Sequence, residues 1–369
     1  MKNSFGQALS VTLFGESHGE KIGAVLDGLA PGIKIDSEYI SKRLALRRPA
    51  GKISTARVEP DEYEIVSGVF SGYTTGTPLC ILISNTDTKS EHYKELSDLP
   101  RPSHADYAAE CKYHGFQDLR GGGHFSARIT AALVAAGAIV ASALKDKGIY
   151  IGSHIQSLLD IEEASVLNLN EAELKKLSLE LEKKYFPVLS ESTEERMKKK
   201  IEEARAEGDS VGGVLESFVA GIPAGLGEPW FDSVESLLSH LIFSVPAVKG
   251  VEFGLGFGLT KLYGSQANDP YIVKDGKIAT ETNNNGGIGG GITNGMPIVL
   301  RTAIKPTPSI LKEQRTVSLS TLTERTLKIT GRHDPAVVHR ARAVIDAVIA
   351  LGIADMLTLR YGTDYLANS

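Results

Sequence analysis

The sequence predicts one α+β domain over residues 1–369, with antiparallel strands and a buried helical layer. Three observations predict it. Apolar residues alternate with a period of two over 8–14, 63–69, 79–84 and 296–304, as in half-buried strands. The run SARITAALVAAGAIVASALKDKG, 126–148, is apolar around most of its circumference, which places that helix inside the fold. No low-complexity linker cuts the chain.

The elements follow in order. The first strand runs into FGESHG, Phe14 to Gly19. The stretch DSEYISKRLALRRP, 36–49, predicts a helix: Asp36 or Ser37 caps it, Ile40 and Leu44 face inward, cations fill its last turn and Pro49 ends it. After the strands at 63–69 and 79–84 comes the Ala-rich helix, closed near Gly148. Residues 170–207 differ. Two charged helices, the second with a Ser192/Glu195 capping box and Glu194–Lys198 and Glu195–Lys199 pairs, read as a solvated excursion at about 165–208. A last helix is expected from Pro335 to about Leu359. One faint internal echo links 22–33 with 211–226, each a strand-like run followed by a Gly/Pro turn and a helical segment.

Composition narrows the function. With 42% hydrophobic and 23% charged residues the chain is an ordinary globular protein, and its net charge of −5 disfavours general attraction to nucleic acid or anionic membrane. No apolar run approaching about eighteen residues is expected, and the N-terminus is too polar for a secretory signal. Cys80 and Cys111 show neither metal nor disulfide spacing, so a cytoplasmic protein is expected.

Several segments could carry chemistry: FGESHG (14–19), RPSHADY (101–107), RGGGHFSARIT (120–130), GRHDP (331–335) and NNNGGIGGGITNG (283–295), the last followed by KPTPS (305–309). Glycine clusters let backbone approach a ligand, and those of RGGGHFSAR precede a helix, where N–H groups favour anions. GxGxxG spacing and the P-loop ending are both absent, so neither nucleotide fingerprint applies. Of the nine histidines, His18 and His104 lie in turns after Ser17 and Ser103, where an imidazole suits proton transfer. Their spacing holds no zinc constellation. Asp334 followed by Pro335 reads equally as a helix N-cap and first-turn pair. Arg43 and Arg47 share a helix face with Arg48 adjacent and Lys52 nearby; they serve a helix C-terminus or grip an anion.

Taken together, these segments resemble the chorismate synthase family. GESHGEKIGAVLDGLAPG is similar to its first signature, RGGGHFSARIT to its second, and GRHDP opens its third; RRP, RPSHADY, EGDSVGG, PAGLGEP and VKGVEFG keep the family's order between them. The resemblance covers about residues 5–358. It implies a layer of helices sandwiched between two antiparallel β-sheets, assembled as a homotetramer. It implies conversion of 5-enolpyruvylshikimate 3-phosphate to chorismate by anti 1,4-elimination of phosphate and the C6 hydrogen, in aromatic amino acid biosynthesis. The family requires reduced FMN without net redox change, and the resemblance also carries a connection with NADP.

By the resemblance, Arg47 and Arg48, with Lys52 and Arg128, would bind the substrate's anionic groups. His18 would protonate the departing phosphate, His104 would stabilise reduced flavin, and Asp334 would lie near the flavin and the departing hydrogen. Ser17 and Ser126 would organise the histidines and flavin. FMN would be held by His124, Phe125, Ser126, Pro246, Ala247, Gly290, Lys305, Pro306, Thr307, Pro308, Ser309 and Arg332. The chain departs from the pattern in reading HFSAR where the family often has RSSAR, and KPTPS for KPTSS. No reductase domain is recognisable, so an external reductant or flavin reductase is expected as partner. Two rivals stand beside this reading, a flavin-dependent oxidoreductase and a non-catalytic binder of anionic metabolites.

Overall fold

The computed structural model describes residues 2–51, 53–55, 59–86, 98–329 and 333–367. Strands β1 (Ser4–Phe5), β2 (Ser10–Gly15), β3 (Lys21–Asp27), β4 (Tyr63–Ser67) and β7 (Leu79–Ser84) form one sheet in the order β1-β2-β3-β7-β4, every neighbour antiparallel. A short hairpin, β5 (Val69–Phe70) with β6 (Tyr73–Thr74), precedes β7. The alternation expected at 79–84 is realised: Leu79, Ile81 and Ile83 are wholly buried, each contributing roughly 1.5–3 kcal/mol of burial.

The second sheet has the order β11-β16-β10-β8-β9, again antiparallel, from β8 (Tyr150–Leu158), β9 (Ile161–Glu162), β10 (Gly213–Ala220), β11 (Val248–Phe253) and β16 (Ile298–Ile304). Three hairpins stand apart: β12 (Tyr271–Lys274) with β13 (Lys277–Thr280), β14 (Ile288–Gly289) with β15 (Ile292–Thr293), and β17 (Gln314–Ser318) with β18 (Thr323–Leu327). The faint echo of 22–33 in 211–226 falls on β3 and β10, each the middle strand of its sheet.

Between the sheets lie α1 (Ser37–Arg47), α3 (Thr130–Asp146), α6 (Val234–Ser244) and α8 (Val338–Tyr361); α2 (Asp106–Tyr113) and the short α7 (Gly264–Ala267) lie outside this layer. The helix α3 packs on β3 and β7 of the first sheet and α8 on β8 and β10 of the second, so the sandwich implied by the resemblance is present. They meet where Gly137 faces Ala347: a Cβ at Gly137 would stand 2.4 Å from that of Ala347, so only glycine permits this approach. Asp36 caps α1 through the Tyr39 amide, settling the choice left open with Ser37. Arg43 leaves α1 for the interior and pairs with Asp346 of α8 at 2.5 Å, while Asp346 also accepts from Ser153 of β8. A buried charge so placed needs such partners.

Four expectations are corrected. One helical segment, 127–146, is long and apolar enough to cross a membrane by length and composition; 83% of its apolar window is buried between the sheets, which accounts for its apolarity. The charged helices α4 (Glu171–Leu181) and α5 (Glu191–Ala206) are not merely solvated. Leu174 and Leu181 of α4 bury with Phe218 and Val299 in a side cluster on the second sheet, and Met197 and Ile201 of α5 join the main core. Ser190 rather than Ser192 caps α5, accepting from the Thr193 amide. Finally, Asp334 does not cap α8, which begins three residues after Pro335. The Pro335 carbonyl accepts from the Val211 amide instead, pinning the segment as an extended bridge.

Candidate functional site

A cavity of about 910 Å³ opens at one end of the helical layer. The end of α1, the loop before α2, the glycine turn before α3, the α6–β11 junction, the segment after β16 and the start of α8 line it.

The FGESHG turn and the glycine turn interlock. Gly15 ends β2 at φ +96°, and the Gly19 amide donates to the Glu16 carbonyl at 3.1 Å. Asn85 Nδ2 donates to the carbonyls of Glu16 (3.0 Å) and Gly19 (2.8 Å), and the Ser17 amide to that of Gly123 (3.1 Å). His124 Nδ1 donates to the Gly15 carbonyl at 2.8 Å. Ser17 and His18 are thereby buried, and the Ser17 hydroxyl has no hydrogen-bond partner among the described residues. Gly121, Gly122 and Gly123 all take positive φ, so RGGGHF is a tight turn rather than the first turn of α3. A Cβ at Gly121 would fall 2.1 Å from His18 Cε1; one at Gly122 would meet His104 Cε1 at 3.5 Å. The two imidazoles thus abut consecutive glycines.

His104 is oriented by its own loop. Its Nδ1 lies 2.6 Å from Asp106 Oδ1, and Arg101 forks that carboxylate at 2.8 and 2.7 Å. Burial pushes the Asp106 carboxyl up, but the hydrogen bonds from Arg101 and His104 outweigh it and hold the group well below the usual carboxylate range. An ionised carboxylate accepts only, so Nδ1 carries the proton and Nε2 is left for a ligand. Neither Arg101 nor Asp106 was singled out in the sequence, although both lie inside RPSHADY.

The arginines part company. Arg47 donates to Asp61 at 3.1 Å and to the Ala127 carbonyl at 3.3 Å; its Nε has no partner among the described residues, and the side chain lines the cavity. Burial pushes its guanidinium down to about 10, against the pull of Asp61 and with the push of Arg340 and Arg128. Arg128 binds the other side of Asp61, the Asn85 side chain and the Ser84 carbonyl. Arg48 donates to the Pro60 carbonyl at 3.1 Å. Neither Arg128 nor Arg48 lines the cavity.

Asp334 joins two segments, accepting from the Thr55 amide at 2.9 Å and from Arg340 at 2.6 Å, while Arg340 Nε donates to the Arg47 carbonyl at 2.8 Å. Across the cavity, Lys305 donates to the Ser103 carbonyl at 2.6 Å, and burial together with Lys249 lowers its pKa. Thr307 Oγ1 is buried without a partner among the described residues.

Of the expected residues, the cavity brings together Arg47, His104, His124, Phe125, Ser126, Pro246, Ala247, Lys305, Thr307, Pro308, Ser309 and Asp334. His18 and Ser17 lie behind the lining residue Gly121. Pro306 is not in the lining, and Gly290 sits at the tip of the β14–β15 hairpin away from it. Lys52 and Arg332 lie outside the described residues. Sequence reasoning missed Asp61, Asp106, Arg340, Lys249 and His240. The lining sets Lys2, Arg47, Lys249, Lys305 and Arg340 against Asp334, the one carboxylate among its described residues. Such a wall suits a ligand with several negative charges.

Comparison with known proteins agrees with this chemistry. A family model described as chorismate synthase matches residues 9–358. A chorismate synthase of Pyrococcus abyssi is 48% identical over 355 residues, covering 96% of this chain and 97% of its relative. One from Aeropyrum pernix is 45% identical over 359 residues, covering 97% and 93%. A crystal structure of chorismate synthase superposes with a TM-score of 0.75 at 30% identity, covering 98% of this chain and 95% of the other.

Proposed function

This chain belongs to the chorismate synthase family, and on that premise we propose that it releases phosphate and the C6 hydrogen from 5-enolpyruvylshikimate 3-phosphate by anti 1,4-elimination. The product is chorismate, and the enzyme is a carbon–oxygen lyase of the shikimate pathway. The observation that carries the reading is His104 in the lining of a cation-rich cavity, with His18 set directly behind the lining residue Gly121.

The residues fit a flavin nucleotide. The buried Thr307 hydroxyl, without a partner among the described residues, the Lys305 ammonium and Ser309 offer a polar cradle, with the Phe125 ring in the same lining. At about 910 Å³ the cavity is at the upper end of the ~300–1,000 Å³ usual for ligand sites, room for a cofactor beside a substrate. FMN would be held by Lys305, Thr307, Pro308 and Ser309, with Pro246, Ala247 and the His124–Ser126 turn; in its reduced form it supplies electron density that assists C–O cleavage.

The protein's own part is charge compensation and proton handling. Arg47, placed by Asp61 and with an Nε–H that has no partner among the described residues, binds a substrate anion. His18 delivers a proton to the departing phosphate. His104, its Nδ1 fixed by Asp106, would stabilise the reduced flavin through Nε2. Asp334, held by Thr55 and Arg340, lies in the same lining as Arg47, where it would receive the leaving hydrogen. An external reductant with a nicotinamide donor keeps the flavin reduced, and the enzyme works in the cytoplasm as a homotetramer.

The test is anaerobic incubation with reduced FMN and the substrate. Chorismate and phosphate are expected in equal amounts with no net consumption of reductant. Consumption of one reductant per product would favour the oxidoreductase reading, and no turnover would defeat both.

A further inference from the structure

The charged excursion reaches the site. Tyr185, in the loop between α4 and α5, donates its hydroxyl proton to the Arg48 carbonyl at 2.9 Å, immediately after the helix turn that carries Arg47. The same oxygen lies 3.2 Å from Ser54 Oγ, which lies 3.0 Å from His339 Nε2 on α8. The next residue after Ser54 is Thr55, whose amide holds Asp334 at 2.9 Å. His339 is wholly buried against the Tyr185 and Phe186 rings, with centroids 5.4 and 5.7 Å away.

Valence fixes the direction of this chain of hydrogen bonds. With Tyr185 donating to Arg48, the Ser54 hydroxyl donates to Tyr185, and His339 Nε2–H donates to Ser54. The atom without a partner among the described residues is then His339 Nδ1, a bare acceptor. The other tautomer would bury an unsatisfied N–H, the worse alternative. Burial, with Arg340, Lys198 and Arg342 nearby, pushes the His339 imidazole down to about 3, so it is neutral and suited to this one-way relay. The loop is itself fastened to α8, because Arg342 donates to the carbonyls of Leu181 and Lys184.

We propose that Tyr185 is a positioning residue for the reaction: through the His339–Ser54–Tyr185 relay it clamps the segment joining Arg47 to the Thr55 amide, and so sets Asp334. The proposal rests on the reading of the site given above. Nothing in the relay touches the ligand cavity, so its action is through the backbone at both ends of the clamp.

Tyr185→Phe removes one oxygen and keeps the ring against His339. With purified full-length protein, kcat is expected to fall about tenfold or more while the substrate KM changes less than threefold and Tm stays within about two degrees. Hydrogen exchange of the ligand-free protein, in the peptide ending at Thr55, is expected to quicken severalfold. Ser54→Ala should reproduce the loss, and the double variant should be no slower than the worse single one, since both cut one relay. Unchanged kcat, or kcat losses that multiply in the double variant, would overturn the clamp. The exchange arm needs no turnover: unchanged exchange overturns the clamp by itself, whereas faster exchange in a protein inert even as wild type overturns the proposed function alone.

Discussion

His18 and His104 lie against neighbouring glycines, with the Gly121 Cβ position 2.1 Å from His18 Cε1 and that of Gly122 3.5 Å from His104 Cε1. One tight turn therefore sets the spacing of both imidazoles. Its left-handed backbone, φ +61° and +84°, is open to glycine and strained for other residues.

The two glycines are not equivalent. Gly121→Ala adds backbone strain of roughly 1–2 kcal/mol and drives a methyl into His18; turnover should drop on the order of 100-fold or more. Gly122→Ala bears similar strain but meets His104 at an ordinary contact distance. Its Tm should fall comparably while its kcat falls much less. Equal kcat losses in the two variants would show that the turn does not discriminate between the histidines.

His18→Ala and His104→Ala should each lose on the order of 10²–10⁴ in kcat, with circular dichroism and Tm close to those of the parent. Rates near the parental value in both would remove these imidazoles from the chemistry.

Asp106 gives a pH test. Its folded-state pKa is held below the unfolded value, so its stabilisation is complete above about pH 4 and is lost as pH falls further. Asp106→Asn removes a charge-assisted pair worth roughly 1.5–3 kcal/mol. Its Tm deficit should be full at pH 6–7 and shrink as the pH is lowered towards 3. A deficit independent of pH would mean that the carboxylate's charge contributes nothing. In the assay the variant should also lose turnover, because an amide no longer dictates that Nδ1 holds the proton.

Asp61 is buried between two guanidiniums, Arg47 and Arg128. Asp61→Ala should destabilise by about 3–5 kcal/mol, the usual effect of leaving buried charge unpaired, read as a lower urea midpoint. Arg47 is also freed to shift, so the substrate KM should rise. A loss below about 1 kcal/mol, the range of exposed pairs, would show that water reaches the cluster.

Local pattern carried much of this protein. The alternation at 79–84, the all-round apolarity of 126–148 and the α1 cap, offered by Asp36 or Ser37 and taken by Asp36, each depend on residues a few positions apart, and each appears where expected. The glycine turn, His104 and the KPTPS segment were legible for the same reason, since short motifs carry their own chemistry. Partnerships across the chain were not. Arg43 and Arg47 share a face in the sequence, yet one turns to Asp346, 303 residues on, and the other to the cavity beside Asp61. Asp334 looks like a helix cap until Thr55 and Arg340 are seen to claim both its oxygens. The excursion reads as solvated until Tyr185 meets Ser54 and Arg48. Sequence by itself determined the elements, the signature segments and the supply of cations, because these follow from side-chain period and backbone preference within a few residues. Only the tertiary structure decided which charge faces which, since burial makes each buried polar atom find a partner, and that partner is chosen by packing rather than by distance along the chain.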